Sequence, residues 1–204
     1  LTGQLFPDGG ELDVFGRAPA EHADVLRRIC FIAEAQRYPD SFKPVHVFKA
    51  APWFFEHWDA EFAERLVHDF RLPLNRYIKK LSRGQLSSIG VIVGLASRAP
   101  LTFFDEPYLG LDAVARHIFY DRLLEDYALH PRTVILSTHL IDEVANLLEH
   151  VLVIAVLVVE AARRRVVPAR LDPDALAAGS AGHVFQPMQQ GAAYALAAPV
   201  AAEA

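Results

Sequence analysis

One cysteine, Cys30, stands among 204 residues, so no internal disulfide can form. Set in the apolar run from Ile29 to Ile32, it reads as a small core residue in a chain suited to a reducing compartment. Long apolar runs are missing too. No segment reaches the roughly twenty apolar residues that a membrane-crossing helix needs, and the run from Val151 to Val159 is only strand-sized. No signal peptide is visible. Positive charge is not in excess: the net charge of -5 gives no electrostatic footprint for nucleic acid. The short clusters Lys79-Lys80 and Arg163-Arg164-Arg165 read as solvated faces. What remains is an ordinary globular mixture, 52% apolar and 22% charged, long enough for one domain with a sizeable core.

The informative residues come in four groups. Leu101-Thr102-Phe103-Phe104-Asp105-Glu106-Pro107 is an apolar run closing on two acids. It reads as a buried strand that delivers both carboxylates to its C-terminal edge, where open α/β sheets place their ligands. Asp105 is the candidate to hold Mg²⁺, and Glu106 the candidate base that orients a water for attack on a phosphoryl group. Two solvated charges stopped by Pro107 would be the bland alternative, and the apolar residues ahead of them argue against it. Upstream, Leu81-Ser82-Arg83-Gly84-Gln85 contains an S-x-x-Q capping box, which sets a helix N-terminus with free N–H groups facing outward. Such an end suits phosphate, although the same residues alone mark an ordinary capped helix. Leu109-Gly110-Leu111-Asp112 comes next, with Asp112 as N-cap of a helix whose Ala115, Phe119, Leu123 and Tyr127 form one apolar stripe. Last, Val134-Ile135-Leu136 ends in Ser137-Thr138-His139, with Asp142 and Glu143 opening the next helix. A neutral His139 imidazole there would donate to a γ-phosphate and orient the water with Glu106.

In order and spacing these groups resemble the signature, Walker B, D-loop and switch-histidine motifs of the nucleotide-binding domain of an ABC transporter, over roughly residues 1 to 154. The resemblance implies an α/β, P-loop NTPase-like (RecA-like) fold: a parallel sheet with helices on both faces, plus a helical signature subdomain. It implies ATP and Mg²⁺ as cofactors. It also implies two partners, a second nucleotide-binding domain in a homo- or heterodimer and a membrane permease subunit, with no nucleic acid expected. The chain would then be cytoplasmic and peripheral on the inner face of the cell membrane. In such a dimer Ser82, Arg83, Gly84 and Gln85 would meet a nucleotide held mainly by the opposite subunit, and Asp112 would lie in a loop crossing the interface. Arg83 departs from the family, which usually has glycine there; it would add a phosphate contact or crowd the turn, while Gly84 is retained. After Ile29-Cys30-Phe31-Ile32, the lookout position is Glu34 by spacing and Gln36 by residue type, and either oxygen would approach Mg²⁺.

The phosphate loop G-x-x-x-x-G-K-[ST] is not in the chain. The opening Leu1 to Leu12 resembles the segment just downstream of that loop in the family, and the first residue is Leu. The expectation is a fragment truncated just after the loop and inactive alone. Three functions compete: the ATP-hydrolysing subunit of a transporter, a non-hydrolysing subunit that supplies its signature face in trans, and a soluble non-transport ABC ATPase. Residues 1–160 are expected to form the nucleotide-binding domain, with a helical subdomain over about 37–100 and a sheet alternating strand and helix from 101 to about 160. A short strand is expected around Leu12 to Phe15 and a helix around Pro19 to Arg28. Trp53, Phe54, Phe55 and Trp58 are expected to build a subdomain core in preference to a docking surface. Residues 161–204, rich in alanine and broken by prolines, are expected to be a weakly ordered extension.

Overall fold

The computed structural model describes residue 2 and residues 9–34, 36–138, 152–155 and 193–197. Three parallel strands carry the centre: β1 (Ile29–Ile32), β2 (Leu101–Asp105) and β3 (Thr133–Thr138). The register pairs Cys30 with Thr102, Thr102 with Val134, and Asp105 with Ser137. β2 is buried on both faces, which is why its sequence runs apolar without alternation. Its period-two geometry still sorts the side chains. Leu101 and Phe103 join Val14, Val25 and Ile135 on one face, while Phe104 joins the larger cluster on the other. Thr102 is fully buried and its hydroxyl donates to the Ala99 carbonyl at 3.3 Å, so the one polar group inside the strand is satisfied.

Helix α1 (Ala23–Leu26) contributes Val25 to the smaller cluster. It is far shorter than the helix expected from Pro19 to Arg28. The strand expected around Leu12 to Phe15 is replaced by a tight turn in which Val14 and Arg17 exchange backbone bonds around Phe15 and Gly16, both at positive φ. Asp13 accepts the Gly16 N–H at 2.6 Å and closes that turn.

The segment between β1 and β2 is helical: α2 (Pro44–Ala50), a 3₁₀ turn (Ala51–Trp53), α3 (Ala60–Asp69), a second 3₁₀ turn (Ile78–Lys80) and α4 (Arg83–Ala96). Every residue of α4 from Ser88 to Ala96 is buried, so this helix lies inside the protein. It can approach the sheet because Gly94 has no Cβ; one built there would stand 2.3 Å from the Phe104 ring. On the same face α5 (Ala113–Leu129) sets Phe119 edge-on to Phe104 at 5.3 Å.

Charges tie the helices to the sheet ends. Arg98 reaches Asp59, the N-cap of α3, at 2.9 Å and Asp126 of α5 at 3.0 Å. Arg132 reaches the same Asp126 at 2.7 Å and donates to the Leu95 carbonyl at 3.2 Å. The aromatic group divides against expectation. Phe55 and Trp58 pack on the core, but Trp53 and Phe54 are 83% and 70% exposed, because the single 3₁₀ turn that carries Trp53 leaves both rings facing outward.

Beyond β3 the sheet departs from the simple alternation. Its order is β1-β2-β3-β5-β4, with β4 at Leu152–Ala155 and β5 at Ala193–Ala197, and β5 runs antiparallel to both neighbours. β5 comes from the alanine-rich stretch expected to be weakly ordered. The unpaired edge of β3 accepts a proline-free segment lying between Pro187 and Pro199, where alanine gives little strand signal of its own. Among the described residues no helix is long and apolar enough to cross a membrane.

Candidate functional site

The C-terminal ends of β2 and β3 build the site. Register places Ser137 beside Asp105, and the Ser137 hydroxyl donates to Asp105 Oδ1 at 2.5 Å. The same hydroxyl accepts the Glu106 N–H at 3.1 Å, and the Ser137 carbonyl takes that N–H as well at 3.3 Å. One serine therefore holds both acidic residues. Glu106 leaves the strand in a left-handed conformation, φ 47°, which is uncommon for a residue with a side chain and costs free energy that the surroundings must offset. Its carboxylate end is taken into the protein, and the residue is only 6% exposed. Sequence reasoning finds both acids and misses the serine, which in the sequence stands out only as a near neighbour of His139.

Tyr108 is missed altogether. Its ring is 2% exposed and belongs to the main core. Its hydroxyl donates to the hydroxyl of Thr138, the last residue of β3. Burial pushes the Tyr108 phenol well above its ordinary range; the Thr138 bond pulls the other way, and Glu106 pushes it further up. The signal in the sequence is a large aromatic two residues after the acid.

The loop after Tyr108 turns back on the acids: Leu109 N–H donates to the Glu106 carbonyl at 3.0 Å and Leu111 N–H to the Tyr108 carbonyl at 2.9 Å. Gly110, at φ 94°, then brings its carbonyl against the first turn of α4. A Cβ on Gly84 would stand 2.7 Å from that oxygen, so glycine is required at 84 by a contact inside the chain. Ser87 Oγ adds a bond to the Leu109 carbonyl at 2.6 Å.

The capping box at the start of α4 is formed. Gln85 N–H donates to Ser82 Oγ at 3.2 Å, and Ser82 N–H donates to Gln85 Oε1 at 3.0 Å. Arg83 does not crowd this turn. It is exposed, and its aliphatic stem passes Gly110, 3.3 Å from where a Cβ there would sit. Asp112 caps α5 by accepting the Ala115 N–H at 2.8 Å and is exposed.

Glu34 and Gln36 share one cleft of about 220 Å³ with Arg37, Arg83, Ser87, Pro107 and Leu109. Gln36 is committed to a local turn, accepting the Ala33 N–H at 3.4 Å, while Glu34 is exposed. The cleft reaches Pro107 but is lined by neither Asp105 nor Glu106. His139 lies outside the described residues, as do Asp142 and Glu143. A larger cleft, about 470 Å³, opens between α3 and α5, where Arg98, Asp69, Arg122, Glu125 and Asp126 are already paired with one another or with Asp59. It sits at the C-terminal end of α5, away from the acids that close β2.

Among the described residues no three His, Cys, Asp or Glu side chains gather into a metal cluster. That donor set still fits Mg²⁺, which takes one or two protein carboxylates and completes its shell with water and phosphate oxygens. Asp105 is half-buried with Oδ1 bonded to Ser137, which leaves its second oxygen as the hard ligand on offer.

Residues 64–145 match a family profile described as "AAA domain, putative AbiEii toxin, Type IV TA system". The ABC transporter ATP-binding protein YtrB of Bacillus subtilis is 20% identical over 143 residues, 70% of this chain and 49% of that protein. The osmoprotectant import ATP-binding protein OsmV of Salmonella typhimurium is 36% identical over 87 residues, 43% of this chain and 23% of that protein. The chain thus spans about half, or less, of the length of these relatives. A solved ATP-binding subunit of an ABC transporter superposes with a TM-score of 0.54 at 24% identity, covering 60% of this chain and 53% of the other. By sequence the chain is similar to ATP-binding proteins of ABC transporters, and over the part that superposes its fold is like that of the solved ATP-binding subunit.

Proposed function

We propose that this chain works as part of the ATP-hydrolysing subunit of an ABC transporter, pairing with a second nucleotide-binding domain and driving a separate membrane permease. The observation that carries this reading is the placement of Asp105 and Glu106 at the C-terminal edge of a buried parallel strand, both held by Ser137 of the next strand. In this reading Asp105 is the Mg²⁺-side carboxylate, and Mg²⁺ supplies charge neutralisation at the phosphates. Glu106 is the general base, held buried so that the water it orients meets a carboxylate and not bulk solvent. His139 senses the γ-phosphate, and Glu34 or Gln36 takes the lookout position. Ser82, Arg83, Gly84 and Gln85 present the start of α4 to the nucleotide of the partner domain, since the capping box aims its free N–H groups and positive dipole end outward. Asp112 adds an exposed carboxylate at the same interface. Residues 1–160 are the nucleotide-binding domain, and the helices within 37–100 its signature subdomain. The protein would sit on the inner face of the membrane through its permease.

Glu106→Gln in the full-length protein tests this. Turnover of Mg²⁺-ATP is expected to fall to a small residue while ATP binding persists. Loss of binding with unchanged turnover per bound nucleotide overturns the assignment.

A further inference from the structure

We infer that the face running from α2 to the turn before α4 is a docking surface for an anionic phospholipid membrane, which the chain touches directly and not only through a permease. The inference goes beyond the nucleotide chemistry proposed above and does not depend on which residue is the base.

Charge gives the sign of the partner. The chain as a whole is acidic, at -5, yet no Asp or Glu occurs from Ser41 to Phe55 or from Phe70 to Ser97. The first stretch holds Lys43 and Lys49; the second holds Arg71, Arg76, Lys79 and Lys80. The fold brings the two together. Val45 N–H donates to the Leu74 carbonyl at 3.4 Å and Ile78 N–H to the Phe42 carbonyl at 2.8 Å, and Lys43 Nζ lies 5.1 Å from the centre of the Tyr77 ring. Among the described residues none of Lys43, Lys49, Arg76, Lys79 and Lys80 enters an ion pair. Like charges gathered without an acid repel one another, and an anionic surface relieves that repulsion.

Shape gives the kind of partner. Phe42, His46, Lys49 and Trp53 recur at intervals of four, three and four, and the 3₁₀ turn follows α2 without a break, so they share one side; all four are exposed. The Phe42 and His46 rings meet edge to face at 5.6 Å. Trp53 and Phe54 project from the turn and stay outside the core. A projecting ring needs a medium that yields around it, which the headgroup layer of a bilayer does, and tryptophan with flanking lysine and arginine is the chemistry that settles at that depth. Around Tyr77, an open cleft of about 620 Å³ is rimmed by Asn75, Arg76 and Lys80. There the two cations and the amide offer donors to a lipid phosphate.

Vesicle binding tests it. The protein is sedimented with protein-free vesicles of phosphatidylcholine alone, and of equal parts phosphatidylcholine and phosphatidylglycerol. Binding is expected to be more than about tenfold tighter on the anionic vesicles and to weaken with added salt. Arg76→Ala and Lys80→Ala, both at exposed positions, should each weaken it about fivefold. The chain has two tryptophans, and Trp58 is packed on the core against Phe48. Trp58→Phe therefore leaves Trp53 as the reporter, and its emission is expected to move to shorter wavelength on anionic vesicles. Equal binding to both vesicles, or none, overturns the inference. So does undiminished binding with both cations replaced, or an unshifted Trp53 emission. Retention only on vesicles that carry the permease also overturns it and gives this face to a protein. None of these readouts involves ATP.

Discussion

Ser137 and Asp105 face each other across two parallel strands, and the 2.5 Å bond between them fixes one carboxylate oxygen while the other stays open. Because the same hydroxyl receives the Glu106 N–H, the geometry of both acids depends on a residue that carries no charge. Ser137→Ala should cost about 1 kcal/mol of stability, the net worth of an ordinary hydrogen bond. The larger effect should be on cation use. A Mg²⁺ titration of ATP turnover should show a raised requirement in the variant, and an unchanged midpoint would separate the serine from the metal side.

The helix beneath the sheet offers a sharper stability test. A Cβ on Gly94 would sit 2.3 Å from Phe104 and 2.9 Å from Ile32, both fully or nearly fully buried. Gly94→Ala gains helix propensity but overpacks the core, and a net loss of about 1–3 kcal/mol is expected by denaturant unfolding.

Asp126 is 3% exposed at its side chain and serves two guanidiniums, Arg98 and Arg132. Asp126→Ala leaves both cations without their shared acid, and breaking a buried pair in this way costs about 3–5 kcal/mol. Arg122→Ala, which removes an ion pair to Asp69 from a side chain 37% exposed, should cost under about 1 kcal/mol. Similar losses for the two variants, measured by thermal unfolding, would mean that burial is not what sets the worth of these pairs.

Burial pushes the Cys30 thiol up to about 12 from 9.0, with the Ser97 bond and the Arg132 charge pulling down. The folded state therefore holds the proton that the unfolded chain gives up first. This contribution is fully present below pH 9 and is lost as pH rises toward about 12. Cys30→Ala should flatten the fall of stability in that window, and the native thiol should resist alkylation that the unfolded chain accepts.

Much of the site is legible in the sequence. The capping box of Ser82 and Gln85, the acid-terminated strand β2 and the N-cap Asp112 all rest on local chemistry that a short window contains. Other features depend on a partner far along the chain. Nothing near Gly84 announces that Gly110 will press on it, and nothing near Tyr108 announces Thr138 thirty residues later. β5 escapes because alanine carries little strand signal and the pairing comes from the edge it joins. Trp53 and Phe54 read as core because aromatic residues usually are, and only the 3₁₀ turn decides which rings face inward. The left-handed backbone of Glu106 is invisible in a sequence that offers no glycine there.

The backbone contact between Gly84 and Gly110, with Ser87 bonded to Leu109, leaves the turn before α4 and the turn before α5 no room to slide past one another. They make a single rigid pawl. A displacement of one turn must displace the other, and the Leu109 N–H bond to the Glu106 carbonyl ties Glu106 to the same unit.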